Sequence, residues 1–489
     1  MSLSRRHFLT LSAAAAGSVA LGRYLWPASS AIEPVARRVS RDGLLDVTFT
    51  AARSRLSFGR QSLAGLTYNG RAPGEVLELK PGDTLRLTLD NQLGEDTNLH
   101  YHGLHIPPTG RADDVFRHIH PGESYTYEFQ IPADHPATLA YYHPHVHGRV
   151  AKQVFGGLGG AIVVRGAIDE IPEVRSAREE IVFLKDFGGD FERSPRGPEH
   201  LQGRQGDILT VNGRLGERWT LPQNGLLRLR LLNASAARFF QLKIEDHLLY
   251  LIGTDGGAIE RPVEMETIAL APGERADILV KGDREPGTYR VLDRSPQTGR
   301  MGRMHGMGRM HGRGRNNEPT AIATIEYGEP VTPVGIPESL GTIDPLPEPE
   351  TVHRIDLGHG MAPGGMVFLM NGKAFDGDRV DIRAPLGGVE DWEVANRGMT
   401  SHPFHIHTNP FQIVSRDGEA APFRVWKDTV NINPGEVVRL RMRYDDFPGK
   451  TVYHCHVLDH EDAGMMGILE IEDRTRANKQ RSSFTHKQT

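Results

Sequence analysis

Residues 453–465 read YHCHVLDHEDAGM, and they contain Cys455, the only cysteine of the 489-residue chain. Apolar runs on either side, at 438–444 and 468–471, are typical of strands. Successive side chains of a strand point to opposite faces, so His454 and His456 are expected on one face and Cys455 on the other. His460 and Met465 follow in a turn that can return towards the sulfur. The stretch can therefore join two different metal sites through a few covalent bonds.

The chemistry of these side chains indicates copper. A Cys thiolate, imidazole nitrogens and a weak axial thioether are the ligands of a blue-copper electron-transfer site. Four His-x-His pairs also stand in or beside apparent strands: His100/His102, His143/His145, His405/His407 and His454/His456. Eight buried imidazoles without metal would each need a hydrogen-bond partner, which makes a purely structural role costly.

Composition and the N-terminus limit the remaining possibilities. The length predicts two to four domains, the net charge of -5 gives no indication of nucleic-acid binding, and one cysteine excludes an internal disulfide. No apolar run is long enough to span a membrane. Paired arginines at Arg5-Arg6, followed by the apolar run 9–21, predict a twin-arginine signal peptide over residues 1–31. We therefore expect export to the periplasm by the twin-arginine machinery.

A repeated unit predicts the fold. Turn dipeptides and strand-like alternation recur about every 150 residues, together with 55 glycines and 32 prolines. The repeated turns are Asn69-Gly70, Asn212-Gly213 and Asn371-Gly372, and then Pro121-Gly122-Glu123, Pro272-Gly273-Glu274 and Pro434-Gly435-Glu436. This pattern predicts an all-β protein of three consecutive cupredoxin-like Greek-key β-sandwich domains.

The expected domain boundaries follow from the repeats. They are 42–167 for domain 1, 177–328 for domain 2, 329–351 for a Pro-rich linker, 352–473 for domain 3 and 474–489 for a polar tail. Histidine pairs occur in domains 1 and 3 and not in domain 2. The simplest interpretation is that domains 1 and 3 hold metal between them and that domain 2 is a spacer.

The histidine motifs resemble those of a known family. His100-Tyr101-His102-Gly103, His143-Pro144-His145, His402-Pro403-Phe404-His405-Ile406-His407 and His454 to Met465 are similar to the four ligand motifs of the multicopper oxidases, in the same order. The closer resemblance is to the bacterial copper efflux oxidase branch, which contains cuprous oxidases and laccase-like enzymes.

The resemblance implies four copper ions and a role for each ligand. His402, Cys455, His460 and axial Met465 would hold type 1 copper, and His100 and His405 would hold type 2 copper. The type 3 pair would be held by His102, His143, His145, His407, His454 and His456. Electrons from substrate would enter at type 1 copper, and dioxygen would be reduced to water at the trinuclear cluster formed by the other three.

Two acids are candidates for proton supply, because dioxygen reduction consumes protons. Asp113 and Glu461 match positions where the family keeps proton-relaying carboxylates. Asp114 replaces the usual glycine after Asp113, so the choice between these two aspartates stays open. Solvated loop acids are the alternative interpretation of both candidates. Asp428 is expected to orient a ligand histidine, whereas His105, His118, His120 and His147 are interpreted as non-ligands.

A methionine-rich loop over 299–315 indicates that Cu(I) is a substrate. Thioether and imidazole groups suit Cu(I), and the loop offers Met301, Met304, Met307, Met310, His305 and His311. A low-complexity insertion without function is the alternative. Met399 is the single methionine just before His402, where cuprous oxidases keep acids as well as methionines, and Met361 and Met366 could compensate.

The predicted function is oxidation of Cu(I), and of phenolic or other one-electron donors, coupled to four-electron reduction of dioxygen, with a role in copper tolerance. The alternative within the class is a laccase for organic substrates whose methionine loop is incidental. A copper-free structural relative, such as a cell-division factor, would lack the cysteine and most histidines. Passive copper storage would consume no oxygen. A monomer is expected.

Overall fold

A computed structural model describes residues 35–195, 198–295, 318–363 and 365–473 of the chain. The predictions for the signal peptide, the methionine-rich loop and the polar tail lie outside these residues. The described residues form 32 strands in six sheets, two sheets to each of three cupredoxin-like sandwiches. The predicted all-β, three-sandwich fold is confirmed.

The first sandwich contains nine strands in two sheets, ordered β1-β4-β9-β8-β6 and β3-β2-β5-β7. Their bounds are β1 Arg37–Val39, β2 Leu44–Phe58, β3 Gln61–Tyr68, β4 Val76–Leu79, β5 Thr84–Gln92, β6 His100–His102, β7 Ser124–Gln130, β8 Thr138–His143 and β9 Gly160–Val164. Strand β5 illustrates why these segments form strands of a sandwich. Its residues Leu85, Leu87 and Leu89 are fully buried and alternate with partly exposed residues, so one face of the strand packs in the core.

The second sandwich has sheets ordered β11-β10-β13-β18-β15-β16 and β12-β20-β19-β14-β17. Their bounds are β10 Arg178–Phe187, β11 Ile208–Val211, β12 Glu217–Gln223, β13 Leu226–Asn233, β14 Phe240–Ile244, β15 Leu249–Thr254, β16 Gly257–Met265, β17 Ile268–Leu270, β18 Arg275–Lys281, β19 Thr288–Asp293 and β20 Thr320–Pro330. Trp219, 2% exposed, packs in the core between these sheets.

The third sandwich has sheets ordered β22-β21-β24-β30-β26-β27, with β28 beside β26, and β23-β32-β31-β25-β29. Their bounds are β21 Thr351–Ala362, β22 Gly365–Met370, β23 Val380–Pro385, β24 Val389–Asn396, β25 His402–Ile406, β26 Phe411–Arg416, β27 Glu419–Ala420, β28 Trp426–Lys427, β29 Thr429–Ile432, β30 Val437–Arg443, β31 Gly449–Cys455 and β32 Met466–Glu472. Its core includes Cys455 and Met465.

Helices are short in the described part of the chain. They are α1 Val150–Gly156, the 3-10 turn Ala167–Glu170, α2 Pro172–Ser176, α3 Pro198–Gln202 and α4 Leu458–Asp462. The sequence predicted a turn after Cys455, and the structure instead forms α4, which contains His460. Among the described residues, no helix combines the length and apolar character needed to cross a membrane.

The repeated turns have the same geometry in all three sandwiches. Asn69, Asn212 and Asn371 have φ of 52°, 54° and 51°. Each accepts a hydrogen bond at its side-chain oxygen from a neighbouring strand, at Thr50 N, Phe183 N and Asp356 N respectively. The local positive φ explains why asparagine and glycine recur at these positions. The internal repeat seen in the sequence is therefore a structural repeat.

Strand pairing brings the histidine motifs together. β6 pairs antiparallel with β8, which sets His100 opposite His143. β25 pairs antiparallel with β31, which sets His405 opposite His454 and Phe404 opposite Cys455. Each pair of motifs therefore lies on adjacent strands of one sheet, one pair in the first sandwich and one in the third.

Candidate metal centre

Every histidine and sulfur ligand predicted from the motifs is buried. None of the twelve side chains is more than 2% exposed. They divide into one group around Cys455 and one larger group of eight imidazoles, and the backbone of β31 connects the two groups. His454 and His456 lie among the other imidazoles, while the intervening Cys455 belongs to the sulfur group, as the strand period predicted.

The sulfur group consists of two imidazoles and one thiol. Cys455 Sγ lies 3.4 Å from His402 Nδ1 and 3.7 Å from His460 Nδ1, and these two nitrogens are 3.2 Å apart. The His460 ring stacks on Phe368 at 3.8 Å, and its Nε2–H donates to the carbonyl of Leu201. Hydrogen bonding of Nε2 leaves Nδ1 of His460 with its lone pair towards the sulfur.

Met465 completes this group from the other end of α4. It is fully buried in the same core cluster as Cys455, and its carbonyl accepts a hydrogen bond of 3.1 Å from Cys455 N. Burial raises the pKa of the Cys455 thiol well above its ordinary value. A bound cation has the opposite effect, because a coordinating thiol is deprotonated.

His100 and His405 face each other across the boundary between the first and third sandwiches. His100 Nδ1 contacts both oxygens of Asp113 at 2.9 Å, and His405 Nδ1 donates to the Asp428 carbonyl at 2.8 Å. A neutral imidazole has one N–H, so the lone pairs at both Nε2 atoms face each other at 3.4 Å. Two opposed lone pairs repel each other in a buried site, and a cation bound by both nitrogens would relieve this repulsion.

The other six histidines form two triads. In one triad, His454 Nε2 lies 3.1 Å from both His145 Nε2 and His407 Nε2. In the other, His102 Nδ1, His143 Nε2 and His456 Nε2 are buried and lack a hydrogen-bond partner. The rings of His102 and His143 have centroids 5.1 Å and 5.5 Å from that of His456. Each triad draws residues from both the first and the third sandwich.

This donor set fits copper. Burial, followed by repulsion from neighbouring imidazoles, lowers the pKa of His100, His407 and His456 well below the ordinary histidine value. The imidazoles are therefore neutral and free to coordinate. Unpartnered buried nitrogens are costly in an empty site and become ligands in an occupied one. The thiolate–imidazole–thioether group has the composition of a blue-copper site, and imidazoles alone suit further copper ions.

Two carboxylates lie against the imidazole group. Asp113 contacts His100, and its Oδ2 is 3.7 Å from His407 Nδ1. Burial raises the pKa of Asp113 to about 7. Asp114, the neighbouring residue, instead forms an ion pair with Arg117 at 3.3 Å. Of the two aspartates between which the sequence could not choose, only Asp113 contacts a candidate ligand.

Glu461 lies on the opposite side of the group. Its carboxylate oxygens are 3.1 Å from His454 Nδ1 and 3.5 Å from His145 Nε2. Burial alone would raise its pKa, but His454 and His145 lower the pKa of Glu461 to about 2. Both predicted acids are thus buried beside candidate ligands and are not solvated loop residues.

Asp428 supports two histidines at once. Its Oδ1 accepts from His102 Nε2 at 2.9 Å, and its backbone carbonyl accepts from His405 Nδ1. The first bond fixes the tautomer that leaves His102 Nδ1 free. Burial would raise the pKa of Asp428, but Arg275 and then His102 hold that pKa well below its ordinary value.

The interpretation of the middle domain as a spacer is wrong. Arg275 of β18 forms a bidentate ion pair with Asp428, and the turn before it contacts His456. Leu201, which holds His460, also belongs to the middle domain. Counting histidines misses these contacts because none of the residues is a ligand. One feature of the sequence could have indicated this role. An arginine follows the turn Pro272-Gly273-Glu274, whereas no arginine follows the other two repeated turns.

The four histidines interpreted as non-ligands lie away from the free nitrogens. His105 contacts the Thr408 carbonyl and Asp446, while His118 and His120 contact Asp96. His147 is exposed and its ring lies 4.6 Å from Phe375.

Two exposed methionines lie on segments that neighbour the sulfur group. Met399 is 68% exposed and follows Gly398, whose ideal Cβ position would lie 3.0 Å from His402 Nε2 and 3.8 Å from His359 Nδ1. Met361 is 78% exposed and pairs across the β21–β22 hairpin with Met366. His359 and Met361 share one face of β21 because they are two residues apart.

The fold and the site together define a three-domain protein with a type 1 copper site and a trinuclear copper site. Three sequence profiles described as multicopper oxidase match residues 51–168, 193–330 and 345–475. The chain is 30% identical over 443 residues to the multicopper oxidase Mco of Staphylococcus haemolyticus, covering 88% of this chain and 89% of that protein. This chain belongs to the multicopper oxidase family, whose members are oxidoreductases that reduce dioxygen.

Other proteins similar to this chain are described with different functions. The cell division protein FtsP of Proteus mirabilis is 28% identical over 490 residues, covering 96% of this chain and 99% of that protein. A metallo-oxidase from Campylobacter jejuni superposes with a TM-score of 0.78 at 30% identity, covering 90% and 95% of the two chains. A laccase-like CueO from Ochrobactrum sp. superposes with a TM-score of 0.77 at 26% identity, covering 90% and 100%.

Proposed function

We propose that the enzyme oxidises Cu(I) at its type 1 site and uses the electrons to reduce dioxygen to water at its trinuclear site, in the service of copper tolerance. Small phenolic or other one-electron organic donors are further substrates. The proposal is supported above all by two exposed methionines, Met399, three residues before His402, and Met361 of β21, since thioether sulfur is a preferred ligand of Cu(I).

The proposed ligands are those that the family resemblance implies, and the positions of the buried nitrogens and of the sulfur support them. His402, Cys455, His460 and Met465 would hold type 1 copper, and His100 and His405 would hold type 2 copper. The triads His102/His143/His456 and His145/His407/His454 would each hold one type 3 copper. When bound, the four coppers supply one-electron acceptance at the first site and four-electron reduction of dioxygen at the other three.

The chain itself supplies connection, orientation and protons. Cys455 is covalently continuous with one histidine of each triad, which gives a short path of bonds between the two sites. The Asp113 carboxyl stands 2.9 Å from His100 Nδ1, and the Glu461 carboxyl stands 3.1 Å from His454 Nδ1. We propose that these two carboxyls relay protons to the reduced oxygen.

The substrate proposal is tested by removing the exposed thioethers. Met361→Leu/Met399→Leu keeps the volume of both side chains, so the fold and the copper content should not change. We expect KM for Cu(I) to rise by about tenfold, equivalent to about 1.4 kcal/mol of binding. Oxygen uptake with Cu(I) and with a phenol measures both activities, and Met265→Leu in β16 is the matched control. An equal change with both donors would contradict the proposal.

An organic-substrate laccase is the second candidate. The segment Arg397-Gly398-Met399-Thr400-Ser401 contains no acid to attract a metal cation. The solved CueO of Ochrobactrum sp. is described as laccase-like, with oxidase activity towards lignin model compounds. If the methionine substitutions leave Cu(I) oxidation unchanged, this candidate is favoured.

We also propose that the protein is exported to the periplasm and acts as a monomer. Export rests on Arg5-Arg6 and the apolar run 9–21. Replacing both arginines by lysines should retain the enzyme in the cytoplasm, which fractionation of the producing cells would measure. Sedimentation of the purified enzyme tests the oligomeric state.

A further inference from the structure

The middle domain contacts the trinuclear site through one turn, Pro272-Gly273-Glu274, and the residue after it, Arg275. Arg275 is 1% exposed and uses all five of its guanidinium N–H donors. Its Nη1 donates to Asp428 Oδ1 at 2.7 Å and to the Gly273 carbonyl at 3.0 Å. Its Nη2 donates to Asp428 Oδ2 and to the Asp255 carbonyl.

The fifth donor joins the guanidinium to the first domain. Arg275 Nε donates to the carbonyl of Leu139 in β8 at 2.9 Å, four residues before the candidate ligand His143. One side chain therefore holds the first domain through Leu139, the third domain through Asp428 and its own domain through Gly273 and Asp255. A fixed planar fork of this kind is particular to arginine, because lysine offers a single ammonium point.

Asp428 transmits this placement to two imidazoles. Its carboxylate receives the Nε2–H of His102, and its carbonyl receives the Nδ1–H of His405. The neighbouring Thr429 Oγ1 lies 3.1 Å from both rings. The Asp428 side chain can rotate about its own bonds. The orientation of His102 therefore depends on Arg275, which holds both carboxylate oxygens of Asp428.

Gly273 contacts a third imidazole directly. An ideal Cβ at this position would lie 2.9 Å from the ring carbons Cγ and Cδ2 of His456. Gly122, at the equivalent turn of the first domain, has nearly the same φ (81° against 83°), yet its ideal Cβ would meet nothing within 4 Å. The glycine of the middle domain is therefore distinguished by the ligand it touches.

We propose that the turn at 272–275 is a positioning element of the trinuclear site: Arg275, through Asp428, and Gly273, through direct contact, fix His102, His405 and His456 in the orientations that bind copper. The inference rests on the ligand assignment proposed above. Since the turn contacts none of His402, Cys455, His460 and Met465, it acts on the trinuclear coppers and leaves type 1 copper bound.

The test compares substitutions in the complete, copper-loaded enzyme. Arg275→Lys retains the charge and loses the fork, and we expect about 10- to 100-fold weaker retention of trinuclear copper against a chelator, as for other groups that orient ligands. Total copper per protein and the type 2 electron paramagnetic resonance signal should fall. The blue absorbance per protein should be unchanged. Arg230→Lys is the control, because Arg230 is an equally buried arginine of the same domain that pairs with Glu179.

A second pair of variants separates ligand contact from backbone strain. Gly273→Ala and Gly122→Ala impose the same penalty for positive φ, but only Gly273→Ala displaces a ligand ring. We expect trinuclear copper to be lost in Gly273→Ala alone. If Arg275→Lys does not fold, the comparison of Gly273→Ala with Gly122→Ala still tests whether the turn positions a trinuclear ligand.

The inference would be overturned if Arg275→Lys and Gly273→Ala both retained as much trinuclear copper as the wild type and lost no more stability than the control variants. Absence of blue colour from the copper-loaded wild type would instead contradict the ligand assignment on which it rests.

Discussion

At the scale of single residues, Cys455 determines the spectroscopic properties of the enzyme. Its sulfur lies within 3.7 Å of both imidazole nitrogens of the proposed type 1 site. We predict that Cys455→Ser abolishes the intense blue absorbance, because serine offers no thiolate to copper. The imidazole triads contain no atom of Cys455, so trinuclear copper should remain. Visible spectra and copper analysis measure both, and a retained blue band would disprove the assignment.

The two buried acids provide a second prediction at this scale. Asp113→Asn and Glu461→Gln keep side-chain shape but remove the ability to exchange a proton. Oxygen reduction should slow by about 10²-fold in each variant, while copper content and blue colour stay normal. Asp114→Asn is the matched control, since Asp114 pairs with Arg117 and contacts no ligand. Wild-type turnover in both variants would remove the proton-relay role.

At the scale of elements, the methionine-rich segment 299–315 was predicted from the sequence to select the substrate. It lies outside the described residues. Changes in the length of surface loops have a small effect on the free energy of unfolding. Deletion of 299–315 should therefore leave all coppers bound, because every proposed ligand lies elsewhere. We expect Cu(I) oxidation to fall much more than phenol oxidation in oxygen-uptake assays. A proportional fall in both would show that the segment does not select the substrate.

The hairpin β21–β22 and the helix α4 show how elements assemble the type 1 site. Phe368 of β22 stacks on His460, which α4 presents between Cys455 and Met465. A turn at this position could also have returned Met465 to the sulfur. The helix additionally places Glu461 against His454, so one short element serves both metal sites.

At the scale of the whole molecule, a partly buried ionic network joins the first two sandwiches. Arg165 bridges Glu78 of β4 at 3.0 Å and Glu179 of β10 at 2.7 Å. Arg230 also contacts Glu179, at 3.0 Å. Burial would raise the pKa of Glu179, but Arg165 and Arg230 lower it to about 2.

The network makes stability depend on pH. A carboxylate whose folded-state pKa lies below its unfolded value stabilises the fold above the unfolded pKa, and that stabilisation is lost as the pH falls through the folded value. For Glu179 the window runs from about 4.5 to about 2, and the effect is on the order of 3 kcal/mol.

We predict that the unfolding temperature of the copper-free wild type falls more steeply across this window than that of Glu179→Gln. Glu180→Gln is the control, because Glu180 pairs with Arg178 at the surface. Thermal scans at several pH values measure the slopes, and equal slopes in wild type and Glu179→Gln would contradict the prediction.

The amino-acid sequence by itself determined the fold class and the chemistry of the site. The four His-x-His motifs, the unique Cys455 and the three repeated turns are local patterns, and the strand period alone separates Cys455 from His454 and His456. These inferences need no knowledge of which strands meet. They depend on residue types, on spacings of two or three positions and on the recurrence of the turns about every 150 residues.

Only the tertiary structure decided which imidazoles lie within contact of one another, which aspartate contacts a candidate ligand and how the middle domain meets the site. His100 and His405 are 305 residues apart and face each other at 3.4 Å, and Arg275 and Asp428 are 153 residues apart and form an ion pair. The short α4 in place of a turn is likewise stabilised by packing more than by its own sequence. Such contacts arise from the docking of three domains, and no local period of side chains encodes them.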